Sequence, residues 1–298
     1  MRLSIIIPSL NQGRFIEQTI RSIVEQDADV ELIVVDGGST DGTAEIVAKY
    51  LPHWISEPDA GQADAINKGL RKATGDVVTW FSADDVYAEG IFAAVGDAWR
   101  RNPRAIYAAP VANFYSPRRQ ALIRPHGLTV GNVVQYWTRR SQWHDPGLFW
   151  SRAVVDDVGE LDASLRYAFD YDYLVRALQR FPVEYVDRVA AGFRLHRASK
   201  TISQTESMMA ETAAVSRRYW HLVADLDRQG FERAEFEARV RRAFSRLLRF
   251  RRDGLTLLGQ VVRERPLAAL LRLAALGPIV VFERLRRALG GKLIDLDR

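Results

Sequence analysis

The clearest chemical signal in the sequence is a pair of adjacent carboxylates, Asp84 and Asp85, directly after an apolar run. Like charges buried side by side raise each other's pKa unless a cation compensates them. Mg²⁺ and Mn²⁺ prefer oxygen ligands of this kind, completed by the oxygens of a diphosphate. The plainer interpretation is a solvated turn or a helix cap, so the pair alone favours a metal site only slightly.

A second motif, residues 34–43, ends an apolar strand with Asp36 and continues through a turn that contains Gly37 and Ser39. A carboxylate at this point can accept hydrogen bonds from a base or ribose, and glycine lets a ligand approach the backbone closely. An ordinary strand-to-helix turn has the same composition. The turn lacks the Gly-x-Gly-x-x-Gly spacing of dinucleotide-binding folds, which disfavours that class.

A third motif lies in residues 56–69 and contains Asp59, Asp64, Asn67 and Lys68. Asp64 and Lys68 are four residues apart, so they can form an ion pair on one helical face without any ligand. Asp64 and Asn67 also lie near the predicted helix start, where the positive end of the helix dipole favours an anion.

Two motifs further along the chain supply a candidate base and candidate cations. Asp170 and Asp172 begin an apolar helix, where an aspartate is usually a cap but can serve as a general base if it faces an acceptor. The residues alone do not decide between the two. Arg194, His196 and Lys200 form a cationic cluster that could meet a diphosphate, although a lone histidine is more often structural.

These residues are positioned by alternating strands and helices. Apolar runs predict strands at residues 3–8, 31–36, 54–56 and 76–82, and residues of helical period lie between them. The order predicts an α/β fold with a Rossmann-like, mostly parallel, doubly wound sheet and right-handed crossovers. Ligands of such sheets bind beyond the carboxyl ends of the strands, so we expect the motifs to line one cleft.

Composition narrows the class of protein further. The 298 residues, 47% of them hydrophobic, are enough for a large α/β domain with a smaller appendage. The absence of cysteine excludes disulfides and thiolate metal sites and fits a reducing cytoplasm. Residues 230–298 carry 16 Lys and Arg against 8 Asp and Glu, whereas residues 1–229 have a net charge of −3. A basic, amphipathic tail predicts an anionic surface as partner.

Taken together and in this order, the motifs resemble those of inverting, non-processive family 2 glycosyltransferases of the bacterial-polysaccharide type, which have the GT-A fold. The resemblance covers about residues 3–201. Its most specific parts are residues 4–12, with the sequence Ser-Ile-Ile-Ile-Pro-Ser-Leu-Asn-Gln, the Asp36 turn, residues 59–69, residues 82–85, and residues 159–162 leading to 169–172.

The resemblance implies a role for each motif on the donor side. Asp36 matches the aspartate that contacts the nucleoside, and Asp59 or Asp64 matches a second acidic position that holds the base or ribose. Asp84 is expected to face the ribose or sugar, and Asp85 to coordinate the metal. The implied nucleotide-sugar-binding residues are Pro8, Ser9, Asn11, Asp36, Gly37, Ser39, Asp59, Asp64, Asn67, Lys68, Asp84, Arg194 and Lys200.

On the acceptor side, the resemblance implies that Asp170 is the catalytic base, with Asp172 as the alternative, and that His196 contacts the metal or diphosphate. Many family members have Glu-Asp where this chain has Phe169-Asp170, and the aspartate is retained. Processive synthases carry Gln-x-x-Arg-Trp, which residues 217–220 do not match. The implied enzyme is therefore a hexosyltransferase-type enzyme that transfers one sugar per acceptor.

The expected reaction moves a sugar from a nucleotide-diphosphate sugar, with UDP-sugar as the first choice, to an acceptor hydroxyl with inversion and with Mn²⁺ or Mg²⁺. The expected acceptor is a lipid-linked or surface glycan precursor. Two alternatives remain: a nucleotide-sugar-binding protein with a degenerate site, and a nucleotidyltransferase, whose phosphate loop residues 9–14 match poorly. No nucleic-acid-binding module is recognised.

We expect a GT-A catalytic domain over 1–205, with a nucleotide-binding half (1–100) and an acceptor-binding half (101–205), followed by a basic helical extension over 206–298. Apolar residues between 267 and 282 are flanked by arginines, which predicts a peripheral helix on an anionic membrane. Packing on the catalytic domain or in a homodimer explains the pattern equally well. The expected location is cytoplasmic, peripheral on the inner membrane face, because no apolar stretch approaches the roughly 20 residues of a span.

Overall fold

The computed structural model describes residues 1–51, 54–116, 119–195 and 204–248. The chain divides into two compact units, Met1–Leu226 and Asp227–Arg298. The strands of the first unit are β1 Leu3–Ser9, β2 Val30–Asp36, β3 Ile55–Ser56, β4 Val77–Trp80, β5 Val86–Tyr87, β6 Ile106–Ala108, β7 Val111–Ser116, β8 Arg119–Ile123, β9 Leu148–Ser151, β10 Val183–Tyr185 and β11 Ala191–Arg194.

Helices alternate with these strands over the first hundred residues, as the sequence predicts. The helices of the first unit are α1 Ile16–Val24, α2 Thr43–Tyr50, α3 Gln62–Leu70, α4 Ile91–Arg101, α5 Val130–Val134, α6 Arg152–Val158, α7 Phe169–Leu178 and α8 Thr205–Arg218, with short 3-10 turns at Tyr136–Thr138, Asp145–Gly147 and Trp220–Leu222. The part of the second unit that the structure describes contains helix α9, Arg228–Leu248.

The main sheet has seven strands in the order β10-β6-β9-β4-β1-β2-β3. Strand β1 pairs in parallel with β2 and β4, so Ser9 lies beside Asp36 at the ends of their strands. Strand β9 is antiparallel to both of its neighbours, β4 and β6. The predicted mostly parallel sheet is therefore confirmed. Because β9 runs the other way, its first residue lies at the edge where the parallel strands end.

A smaller sheet with the order β5-β11-β7-β8 lies beyond this edge. Strand β11 pairs in parallel with β7 and antiparallel with β5. Strand β5 begins directly after Asp85, and β11 ends with Arg194. The second sheet therefore brings a residue from late in the chain next to the acidic pair that follows β4.

The main sheet is buried on both faces, as a doubly wound sheet requires. In β1, the side chains of Ile5 and Ile7 belong to one apolar cluster, whereas Ile6 belongs to the other. Helices α1, α2 and α4 contribute to the first cluster, and α3, α6, α7 and α8 contribute to the second. Successive side chains of a strand point to opposite faces, so one continuous apolar run supplies both cores.

Between residues 204 and 248 the structure describes helices α8 and α9, where the sequence predicts a helical extension. Helix α8 packs within the first unit, where Ala213, Val215 and Ser216 are buried. The Ser216 hydroxyl donates to the Val134 carbonyl oxygen at 2.8 Å. Along the described residues, no helix has the length and apolar character needed to cross a bilayer. The predicted helical tail at 255–289 lies outside them.

Candidate active site

The end of strand β2 holds a buried carboxylate that organises the turn after it. Asp36 is 1% exposed, and its Oδ2 accepts hydrogen bonds from the backbone N–H groups of Gly38 (3.1 Å) and Ser39 (2.9 Å). The Ser39 hydroxyl donates to Asp36 Oδ1 at 2.5 Å, and the Ser56 hydroxyl lies 3.4 Å from Oδ2. These bonds hold residues 37–39 as a tight loop over the sheet edge.

The loop after β1 is joined to the loop after β2 by side chains from both. The backbone N–H of Asn11 donates to the Ser39 hydroxyl at 2.7 Å, and Asn11 Oδ1 accepts from the Thr40 N–H at 2.9 Å. Asn11 adopts a positive φ of 54°, a conformation that asparagine tolerates better than most residues. The Gly13 N–H donates to Asp41 Oδ2 at 2.9 Å. Two predicted donor-site residues, Asn11 and Ser39, are thus brought together.

Close approach explains one of the glycines in this turn. A Cβ atom built on Gly37 would lie 2.4 Å from Asp59 Oδ2, closer than any non-bonded contact allows. Asp59 Oδ1 accepts a hydrogen bond from the Gly61 N–H at 2.9 Å. The Asp36 turn and the Asp59 loop, which are far apart in sequence, therefore meet at the edge of β2 and β3.

Helix α3 ties the Asp59 loop in place through Lys68. The Lys68 ammonium lies 2.9 Å from Glu57 Oε1 and 3.6 Å from Asp64 Oδ2, and it donates to the Pro58 carbonyl at 2.8 Å. Glu57 and Asp64 raise the pKa of Lys68. The i,i+4 pairing expected from the sequence is present, and Lys68 is used to close the loop.

In Asn67, the residue before Lys68 on α3, the amide oxygen and the amide nitrogen both form hydrogen bonds. Asn67 Nδ2 donates to the Leu161 carbonyl at 2.9 Å, and the Leu161 N–H donates to Asn67 Oδ1 at 2.9 Å. Asn67 is 3% exposed. Its side chain therefore joins α3 to the segment before α7, which accounts for this polar residue without a ligand.

The acidic pair after β4 is divided between two environments. Asp85 is fully buried, whereas Asp84 is partly exposed. Asp85 Oδ1 accepts the backbone N–H of Arg194 at 2.8 Å, and the Arg194 Nε donates to the Asp84 carbonyl at 2.8 Å. Burial, together with the neighbouring Asp84 carboxylate, raises the pKa of Asp85 well above its ordinary value.

The second oxygen of Asp85 has no hydrogen-bond partner among the described residues, although it is buried. The hydroxyl of Ser9, at the end of β1, is also buried without a partner in the described part of the chain. Unbonded buried oxygens are rare in native proteins and call for an explanation, such as a bound ion. Across residues 1–51, 54–116, 119–195 and 204–248, no three acidic, histidine or cysteine side chains form a metal-binding group.

Two aspartates on α7 have opposite surroundings. Asp172 is 3% exposed, and its two oxygens accept hydrogen bonds from Arg176 Nε at 2.9 Å and the Tyr219 hydroxyl at 2.7 Å. Asp170 accepts the Tyr171 N–H at 2.7 Å. Desolvation raises the pKa of Asp170 to about 6, and the Glu211 carboxylate adds to the rise. A carboxylate with a pKa near 6 suits proton abstraction near neutral pH.

The sequence did not predict another carboxylate of this site, Asp145. It lies in the turn before β9, and its Oδ1 accepts the indole N–H of Trp80 at 3.0 Å. Desolvation and the nearby Asp170 raise the pKa of Asp145 well above its ordinary value, and Asp145 in turn raises that of Asp85. The Asp145 carboxylate therefore interacts electrostatically with both Asp85 and Asp170.

The Trp80 indole that holds Asp145 is itself fixed by packing. Its ring stacks on Trp150 with centroids 5.3 Å apart and meets the edge of Tyr173 at 5.1 Å. His144, next to Asp145, lies 4.2 Å from the Phe193 ring, and desolvation lowers its pKa to about 4. His144 is therefore neutral at physiological pH, while the metal candidate His196 and the cation candidate Lys200 lie outside the described residues.

Comparison with solved structures shows the same fold. The crystal structure of S. aureus TarS 1-349 in complex with UDP-GlcNAc superimposes on this chain with a TM-score of 0.59 and 19% sequence identity. The match covers 88% of this chain and 81% of the TarS chain. The mannosyltransferase PcManGT from Pyrobaculum calidifontis, solved with GDP-Man and Mn²⁺, gives 0.57 at 19% identity over 96% and 82%. This chain therefore has the fold that GT-A glycosyltransferases share.

Sequence comparison gives the family. Residues 4–150 match the model of the family described as glycosyl transferase family 2. An uncharacterized glycosyltransferase of Nostoc sp. is 35% identical over 94 residues, 29% of each chain. A PGL/p-HBAD biosynthesis glycosyltransferase of Mycobacterium bovis is 28% identical over 195 residues, which is 58% of this chain and 68% of that one. Residues 4–150 therefore belong to a glycosyl transferase family 2 domain.

Proposed function

We propose that this glycosyltransferase moves one sugar from a nucleotide-diphosphate sugar, UDP-sugar first, to an acceptor hydroxyl, with inversion at the anomeric carbon. The observation that carries the proposal is the buried Asp85 carboxylate, one oxygen of which has no partner among the described residues. The Asp84 and Asp145 carboxylates raise its pKa, and Asp170 in turn raises the pKa of Asp145. Solved relatives of the fold hold UDP, UDP-GlcNAc or GDP-Man, which supports a nucleotide-sugar donor.

The donor nucleotide is assigned to the edge of β1, β2 and β3. Asp36, already buried and held by the loop amides, can accept from a base or ribose, and Gly37 leaves room for the chain to pass Asp59. Pro8 and Ser9 end the neighbouring strand. The remaining assigned donor residues are Asn11, Ser39, Asp64, Lys68, Asp84, Arg194 and Lys200, most of which shape the loops of this edge rather than present unbonded groups.

A divalent cation, Mn²⁺ or Mg²⁺, fits the residues after β4. Asp85 offers a buried oxygen with no partner among the described residues. Mg²⁺ sites of this type use one or two carboxylates and take the remaining oxygens from substrate phosphates and water, so a group of three protein ligands is not required. Asp85 would hold the ion, with Asp84 beside it. When bound, the ion would neutralise charge that grows on the departing diphosphate.

Asp170 is assigned the base, and Asp172 a structural role. Above pH 6 the Asp170 carboxylate is ionised and can take the proton of the acceptor hydroxyl as the new C–O bond forms. The bond between the anomeric carbon and the diphosphate oxygen breaks on the opposite face, so the nucleoside diphosphate leaves and the configuration inverts. Asp172 has one oxygen bonded to Arg176 and the other to Tyr219, which fits a structural role.

The division into a catalytic domain (1–205) and a basic extension (206–298) remains a prediction, as does peripheral attachment of the extension to an anionic membrane that presents a lipid-linked or surface glycan precursor. Flotation with vesicles of anionic lipid tests the attachment. We expect the full chain to float and a chain ending at residue 254 to sediment. Equal flotation of both chains, or of neither, would contradict membrane binding by the tail.

The reaction is tested with a panel of UDP-glucose, UDP-GlcNAc and GDP-mannose, each with and without Mn²⁺. A donor at 100 times its Kd stabilises the fold by about 2.7 kcal/mol, which raises Tm by several degrees. We then expect release of nucleoside diphosphate with the best donor, lost on addition of EDTA. Binding without turnover would favour a degenerate nucleotide-sugar-binding protein, and pyrophosphate release from nucleoside triphosphates a nucleotidyltransferase.

A further inference from the structure

One carboxylate outside the family match gathers three backbone amides. Glu211, on α8, accepts the N–H of Arg166 at its Oε1 (3.0 Å) and the N–H groups of Tyr167 (2.5 Å) and Ala168 (2.7 Å) at its Oε2. Three consecutive N–H groups that point at one carboxylate form a charge-assisted set, which is stronger and more directional than neutral hydrogen bonds. Glu211 therefore fixes the path of the chain from 166 to 168.

These three residues lead directly into the helix that carries the base. Ala168 is the cap residue of α7, and Asp170 lies in the first turn. The Asp172 N–H donates to the Ala168 carbonyl at 2.9 Å, so the position of Ala168 sets the register of this turn. A displacement of 166–168 would move the Asp170 carboxylate with it.

Helix α8 provides a rigid support for Glu211. Its Ala213 and Val215 side chains are buried, and Ser216 bonds to the Val134 carbonyl of α5. The Tyr167 hydroxyl donates to Oε1 of Gln204, the residue directly before α8, at 2.5 Å. Two side-chain contacts therefore join the 166–168 segment to the start and the middle of α8: Tyr167 to Gln204, and the backbone amides to Glu211.

We propose that Glu211 is a positioning residue for the reaction, which holds the start of α7 so that Asp170 meets the acceptor hydroxyl. This inference rests on the proposed function. It adds a residue that lies outside the motifs of the family resemblance, which end at about residue 201. Among the described residues, the charged groups that interact with Asp170 electrostatically are Asp145, from the turn before β9, and Glu211. Glu211 thus acts on Asp170 both through the backbone and through its charge.

The test replaces Glu211 by Gln in the full chain and measures nucleotide release with Mn²⁺ and the donor of the panel that turns over fastest. Gln keeps one acceptor oxygen and turns an NH₂ group toward the amides, so at least one N–H loses its partner. We expect kcat to fall about tenfold, because a shift of even 1 Å in a catalytic group costs up to about 100-fold, with the donor KM unchanged.

A pH profile separates positioning from a merely structural role. Loss of the Glu211 charge lowers the pKa of Asp170, so the acid limb of kcat/KM is expected to move to lower pH by about half a unit. Glu211→Asp keeps the charge but shortens the arm, so it is expected to lower kcat and leave the limb in place. Glu206→Gln, the same change five residues earlier on α8, is the control.

Folding is checked by UDP binding, which uses the Asp36 edge. A folded Glu211→Gln with wild-type kcat and acid limb, or equal effects in Glu206→Gln, would overturn the inference. If Glu211→Gln fails to fold, Glu211→Asp decides: a lower kcat supports the inference and a wild-type kcat refutes it. A wild type that turns over no donor would instead defeat the proposed function, and the inference with it.

Discussion

Replacing Asp170 by Asn should remove activity and stabilise the protein at the same time. The ionised Asp170 side chain lies where desolvation and the Glu211 charge disfavour it. Asn has the shape of the protonated acid but no charge to desolvate. Residues that are arranged for catalysis commonly lower the stability of the folded protein in this way.

The size of the gain follows from the pKa of Asp170. A pKa of about 6 in the folded protein, against the ordinary aspartate value of 3.8, means that the folded state holds the proton more tightly than the unfolded state. Wild-type stability therefore falls as pH rises through this window. At 1.36 kcal/mol per unit, the loss reaches an upper limit of about 3 kcal/mol above pH 6. Asp170→Asn should recover this amount at pH 8 and nothing at pH 3.

Asp172 provides a matched control two residues further along the same helix. Its carboxylate is bonded to Arg176 and Tyr219, so Asp172→Asn leaves a partly buried guanidinium without its counter-charge. Arg176 also donates to the carbonyl oxygens of Val158 at 2.8 Å and Glu160 at 2.9 Å. Breaking a buried pair costs about 3–5 kcal/mol, and these two remaining hydrogen bonds reduce the cost here to about 1–3 kcal/mol. We expect lower stability with the turnover of the folded fraction nearly unchanged.

Urea unfolding at pH 3 and pH 8 in EDTA, together with nucleotide release at pH 8, measures both variants. The expected pattern is a loss of at least about 100-fold in kcat for Asp170→Asn, with a higher midpoint at pH 8 only. A destabilised Asp170→Asn at pH 8, or an inactive Asp172→Asn that is fully folded, would refute the assignment of the two aspartates.

Three further changes address the donor and metal edges. Gly37→Ala should weaken UDP binding about tenfold by calorimetry, because its Cβ would strike Asp59; unchanged affinity would place the nucleotide elsewhere. Asp85→Asn should raise Tm in EDTA and lower Mn²⁺-dependent release at least about 100-fold, and wild-type release would count against the metal site. Trp80→Phe removes the indole hydrogen bond to Asp145 and should lower kcat about threefold to tenfold with the donor KM unchanged; a change in KM alone would contradict a role near the base.

The first half of the fold was readable from sequence because its strands are long apolar runs that are buried on both faces. The observed bounds of β1 and β2 differ from the predicted ones by a single residue at one end. The smaller sheet was not predicted, because β5 has two residues and its partner β11 lies about a hundred residues away. Short strands of this kind are specified by distant contacts, which a local pattern does not contain.

The sequence predicts the site residues that follow parallel strands, because these strands end at one edge of the sheet. It does not predict a site residue that precedes an antiparallel strand. Asp36 and Asp85 follow parallel strands, whereas Asp145 precedes β9, the antiparallel strand, whose start lies at the same edge. One missed signal was local: Asp172 and Arg176 are four residues apart on α7 and form an ion pair. That spacing already separates Asp172 from Asp170, which has no cation four residues on.

Helix α3 joins two parts of the enzyme that a designer would treat as separate. Lys68 holds the loop that contains Asp59, and the neighbouring Asn67 forms two hydrogen bonds with Leu161, which precedes α7 in the chain. A chimera that imports another family member's donor loop to change the preferred sugar would therefore inherit a mismatch on the opposite side of this helix. Such grafts should exchange residues 57–70 together with 159–162 as one unit.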